Sequence, residues 1–153
     1  MRRRSRLPIA VLAAALALAA AGTATAAEAE AQAAQRIVVH LGHYSDDLHA
    51  VHMALSLAGS LRKAGADVTL FLDLEGVRLA DARVPQDLRW GRGGSMAEGY
   101  DAFVAAGGQV LICPHCAHAA GLEAAHLRKG ARIASDDEVT QLFLAADKVI
   151  DYD

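Results

Sequence analysis

The stretch "ICPHCAHAAGL", residues 112–122, holds both cysteines of the chain. Cys113 and Cys116 stand three positions apart, with Pro114 and His115 between them and His118 two further on. Thiols in that pattern can do three kinds of chemistry. A thiolate can attack sulfur, and a second thiol one helical turn away can resolve the product as a disulfide. Thiolates with imidazoles can hold zinc or cuprous copper, which makes Cys113, Cys116 and His118 a candidate ligand set. Two cysteines in an oxidising compartment can also form an inert disulfide. A four-residue loop removes little chain entropy, so such a bridge would stabilise little.

The flanking residues say how the thiols are held. "QVLIC" (109–113) reads as an apolar strand, and the motif then opens a short helix that Gly121 closes. Pro114 fits the first helical turn, where its missing N–H has no partner in any case. Cys113 is thus expected where a strand hands over to a helix N-terminus, a setting that favours the thiolate. Thiols so placed, or in Cys-X-X-Cys, fall from about 8.5 toward roughly 3.5–7.5.

The other elements follow from periodicity and punctuation. "RIVVHL" (36–41) is a β-branched, apolar first strand, broken by "GHYSDD". Ser45 or Asp46 is the expected cap of a helix that runs to Gly65, with Leu48, Val51, Leu55 and Ala58 on its apolar face. "DVTLFLDLEG" (67–76) gives a second strand ending near Asp73. Residues 80–94, with Pro85 and three glycines, form a long loop. Ser95 with Glu98 and Ser135 with Glu138 make two capping boxes, each opening a helix. A helical turn through "LEAAHLRKG", a brief strand "ARIA" and a last strand "KVIDYD" complete the order. Near-continuously apolar strands alternating with helices predict an α/β domain: three α/β/α layers around a mostly parallel sheet of about five strands.

Ligands in such sheets bind beyond the carboxyl ends of the strands. His43 follows the first strand, Asp73 and Glu75 follow the second, and Cys113 ends the third. His43 and His115 are therefore candidates to shuttle a proton or hold the thiolate, while Asp73 and Glu75 are expected to shape the turn. His49 and His52, three apart on a helix, read as solvated residues. A thioredoxin fold does not fit, because most of the chain precedes Cys113 and no proline follows Pro114.

The N-terminus sets the expected compartment. Arg2, Arg3, Arg4 and Arg6 precede an apolar run from Ile9 to Ala21 and the small-residue stretch "GTATAAEA". This is the pattern of a secretory signal peptide over residues 1–26, cut after Ala24-Thr25-Ala26. The apolar run is shorter than the roughly 20 residues of a membrane span, and Arg3-Arg4 leaves Sec and Tat export both open. Residues 27–35 read as a flexible lead-in to a domain over 36–153. The chain carries −3 at pH 7, and loss of the four leader arginines takes the mature part to about −7. An acidic domain without basic clusters argues against nucleic acid, and no membrane contact is expected after cleavage.

"LGHYSDDLHAVHMALSLAGSLRKAGADVTLFLDLEGVRLA", "GYDAFVAAGGQVLICPHCAHAAGL" and "LFLAADKVIDYD" together resemble the DsrE/DsrF family, of the DsrE/TusD sulfur-relay type, over about residues 36–152. The "DLEGV" turn and the strand–cysteine–helix–glycine arrangement carry the likeness. The resemblance implies a compact α/β/α domain and an oligomer of identical chains, with no cofactor. Relay members hold sulfur as a persulfide on a cysteine placed as Cys113 is here, between a central strand and a short helix closing at glycine. That implies a sulfur donor or acceptor protein, or a small thiol, as partner. Cys116 is an addition to that pattern, and so is export to the periplasm or beyond. The sequence thus reads first as an exported protein handling sulfane sulfur or thiol–disulfide exchange. A metal-binding or small-ligand module and a non-catalytic oligomeric subunit are the alternatives.

Overall fold

A computed structural model describes residues 34–153. The expected signal peptide, residues 1–26, and the lead-in as far as residue 33 lie outside the described residues. The order is β1 (Arg36–Leu41), α1 (Leu48–Lys63), β2 (Asp67–Leu72), a 3-10 helix (Leu74–Ala80), α2 (Met96–Ala105), β3 (Gln109–Ile112), α3 (Pro114–Ala119), a second 3-10 turn (Ala124–His126), β4 (Ala131–Ile133), α4 (Asp136–Ala145) and β5 (Lys148–Tyr152).

The five strands form one sheet in the order β4-β3-β2-β1-β5. Every pairing is parallel, so the sheet is wholly rather than mostly so. From β1 to β4 the chain steps always in one direction, and then β5 returns to the far side of β1. Right-handed crossovers place helices on one face for one direction of travel and on the other for the reverse. The packing agrees. Val51, Leu55, Tyr100 and Phe103 of α1 and α2 join Val39, Leu41, Leu70 and Ile112 in the larger core. On the opposite face Val38, Phe71, Leu111 and Ala134 form a smaller core against Val139, Leu142 and Ala146, from α4 and its end. Strand residues alternate between these layers, as the pleat requires. Each such apolar side chain, fully buried, contributes roughly 1.5–3 kcal/mol.

Both capping boxes form as expected. Ser95 and Ser135 each accept from the backbone N–H three residues on, and Glu98 and Glu138 reach back. The cap of α1 differs: it is Asp47, whose side chain accepts from the N–H groups of His49 and Ala50. Asp46 is occupied otherwise, since its carboxylate takes the Tyr44 N–H and faces His43. Strand β2 ends at Leu72, and the expected turn at 73–76 is the start of the first 3-10 helix. The long loop is fixed rather than loose. Arg83 pairs with buried Asp81, Gln86 donates to the carbonyls of Arg78 and Asp81, and the Tyr44 hydroxyl donates to Pro85.

Candidate functional site: two thiols and a bracketed histidine

The carboxyl ends of β1, β2, β3 and β5 meet at one edge of the sheet. Cys113 belongs to two elements at once. Its N–H donates to Leu72 O at 2.9 Å, extending the β2–β3 ladder, and its carbonyl accepts from Ala117 at 2.9 Å, opening α3. Pro114 is the first residue of that helix, as its chemistry requires. Cys116 follows one turn later. Both are half-buried free thiols, and they are rooted in different layers. Cys113 packs on the smaller core with Leu111 and Phe71, whereas Cys116 packs on the larger one.

Burial pushes the Cys116 thiol up from its ordinary range. The Leu74 backbone amide works the other way, while the Cys113 side chain, within hydrogen-bonding reach of Cys116, and then negative charge on Cys113 or Asp73 add to the rise. Leu74 is the one non-glycine residue with positive φ among the described residues, at 41°. It follows Asp73 directly, so the turn that presents its N–H to the sulfur is held in a conformation that side chains avoid.

The histidines read from the sequence lie apart from the thiols. His43 Nδ1 is 2.5 Å from Asp46 Oδ2, a local pair, and that hydrogen bond raises its pKa. His115 projects from the start of α3, 81% exposed, with Nε2 2.9 Å from Asp136 Oδ1. Neither makes a hydrogen bond to a cysteine among the described residues. His118 is exposed on α3. The candidate set of Cys113, Cys116 and His118 is not gathered. Two helical positions past Cys116 turn a side chain to another face, and no group of three or more His, Cys, Asp or Glu among the described residues could hold a metal ion. Glu75 pairs with Arg78 at 3.1 Å and shapes the turn as expected.

One residue was not singled out by the sequence. His40 lies inside β1, in phase with Val38 and therefore facing the smaller core. Its Nε2 is 2.7 Å from Asp73 Oδ1 and its Nδ1 is 2.6 Å from Asp151 Oδ1. The imidazole is 15% exposed, against 23% for Asp73 and 65% for Asp151. Burial pulls its pKa down, but the hydrogen bonds to Asp73 and Asp151 outweigh burial, and the net shift is upward. A polar residue in an otherwise apolar strand was the available signal. A groove of about 190 Å³ between α1 and α2, lined by Leu55, Gly59, Gly99 and Phe103 among others, includes neither cysteine. No helix among the described residues is long and apolar enough to cross a membrane.

A doubly covered, all-parallel five-stranded sheet with a cysteine between an inner strand, β3, and a short helix defines a class of small α/β thiol proteins. Within that class this chain belongs to the DsrE/DsrF-like family, whose model matches residues 12–152. Family membership suggests sulfur relay or transfer as the general role. Among solved structures it is similar to the ychN protein from E. coli. The two are 24% identical with a TM-score of 0.64, over 78% of this chain and 99% of that one. It is also similar to MTH1491, a protein of unknown function from Methanobacterium thermoautotrophicum. There the identity is 16% and the TM-score 0.60, over 76% of this chain and 98% of that one. Both likenesses concern the fold. No curated protein matches.

Proposed function

We propose that this is an exported sulfur-handling protein in which Cys113 accepts sulfane sulfur and Cys116 resolves it. The observation that carries the reading is the asymmetry of the pair. Cys113 follows β3 at the carboxyl edge of the sheet, where sheets of this kind place ligands, whereas burial pushes the Cys116 thiol above its ordinary range. The Cys113 thiolate attacks the outer sulfur of a persulfide R–S–SH, forming Cys113–S–SH and releasing R–S⁻. Cys116, once deprotonated, attacks the inner sulfur, forming a Cys113–Cys116 disulfide and expelling HS⁻. A dithiol or two thiols must then reduce the disulfide, so the partner is a sulfur donor or acceptor protein or a small thiol. Solvent protonates the departing sulfur, since His43 and His115 are engaged by Asp46 and Asp136.

Intact mass after exposure to polysulfide tests this reading. Cys116→Ser should gain one sulfur atom that reductant removes, Cys113→Ser should gain none, and the wild type should end as a disulfide. If reduced Cys116→Ser gains no sulfur while a small thiol in the same solution does, the carrier role is lost and a binding or assembly role takes its place.

The same reading puts the protein in the periplasm or outside the cell as an oligomer of identical chains. The Arg-rich start, the Ile9–Ala21 run and the A-x-A site support export, and exposed Leu144, Phe143 and Val149 support self-association. N-terminal sequencing of the exported product should begin near Ala27; residues 2–10 retained on a membrane-bound product would contradict it.

A further inference from the structure

His40 stands where the strand order reverses, between β1 and β5, the switch point at which sheets of this kind place ligands. It is bracketed by carboxylates on both ring nitrogens, at 2.6 and 2.7 Å. A neutral imidazole has one donor and one acceptor nitrogen, so it satisfies one carboxylate and turns a lone pair on the other. The imidazolium donates to both. One of those carboxylates, Asp73, precedes the Leu74 amide that faces Cys116, and its charge acts on that thiol.

We propose that His40 is a positioning residue for the thiol pair: as an imidazolium it cancels the charge of Asp73, and on losing its proton to solvent it leaves that charge to oppose ionisation of Cys116. The resolving step is thereby favoured in neutral and mildly acidic surroundings beyond what the thiol's own burial would allow. The other groups around His40 do not replace it. From β2 it meets the Phe71 ring, at a centroid distance of 5.8 Å. The α4 side of that layer offers Val139, Leu142 and Ala146. Asp136 and Glu138 of α4 are engaged by His115 and Arg132, while Asp137 sits in its exposed first turn. Asp147 pairs with Arg36 at the other end of β1, and Asp153 lies against Gly42 and acts on His43.

This inference concerns the thiols of the proposed function, and it is read without any sulfur donor, so failure of the persulfide reading leaves it standing. In a Cys113→Ser background, the rate of Cys116 alkylation by iodoacetamide is followed from pH 6 to 9.5. The parent should rise less than tenfold per pH unit across the window in which His40 loses its proton. His40→Gln should be slower by about threefold or more at pH 6, as expected for one uncompensated charge nearby, and should converge with the parent above that window. Asp73→Asn should be faster than the parent at high pH and indifferent to a further His40→Gln. Asp151→Asn, at an exposed position, should move the bend to lower pH and serves where His40→Gln does not fold. A purely structural His40 gives the same offset at every pH, or none. That result, or a bend unmoved by Asp151→Asn, overturns the proposal.

Discussion

His40 binds its proton more tightly in the folded chain than an ordinary histidine does, because two carboxylates accept from it. The consequence for stability has a definite sign. Its contribution is fully present below the unfolded value of about 6.5 and is lost as pH rises through the higher folded value. Urea midpoints of the wild type should therefore fall relative to His40→Gln as pH climbs from about 6.5 through the folded value, and the two curves should run parallel above it. His43 is shifted the same way by Asp46 but is partly open to solvent, so it adds little. The thiols were legible because Cys113, Pro114 and Cys116 are neighbours in the chain. His40 was not, since its meaning depends on Asp151, 111 positions away, and on a register that no local pattern encodes. The same limit explains the other histidines. Spacing placed His43 and His115 at the right edge, but the carboxylates of Asp46 and Asp136 engage their rings.

At the scale of elements, short-range chemistry was readable and close approaches were not. Both capping boxes were visible as Ser-x-x-Glu because all their partners lie within four residues. The α1 cap was misplaced because three candidate oxygens stand side by side, and the competition at Asp46 is settled by Tyr44 and His43. The 3-10 helix after β2 depends on Gly76 for a reason outside its own sequence. Its N–H donates to Gly42 O at 2.9 Å, and a Cβ built there would stand 2.1 Å from Leu41 O. Gly76→Ala must push this helix off the end of β1. A loss of roughly 2–3 kcal/mol is expected in urea unfolding, with faster alkylation of Cys116 as the Leu74 turn loosens. An unchanged midpoint would mean that the turn has room to shift.

For the whole molecule, the α/β class and the five strands followed from apolar runs of the right length separated by helical patterns. Strand order did not follow, because β5 returns to the far side of β1 and nothing within β5 says so. That return leaves one face of the sheet covered mainly by α4, which carries Leu144, 76% exposed, and Phe143, with exposed Val149 on the neighbouring edge strand β5. If that surface joins copies of the chain, Leu144→Asp should reduce the mass seen by light scattering while leaving the far-UV circular dichroism unchanged. An unchanged assembly would move the interface elsewhere. The two cysteines pack against separate cores, and the meeting of their side chains has a temporal consequence. Although their roots differ, the two side chains lie within hydrogen-bonding reach of each other. In the proposed reaction, sulfur loaded on Cys113 would have the discharging thiol beside it from the start, with no movement of α3 required. The interval between loading and discharge would then be set by how rarely Cys116, whose pKa burial raises, gives up its proton, so under that reading burial is a clock on the cargo and a higher pH should shorten the time for which sulfur is held.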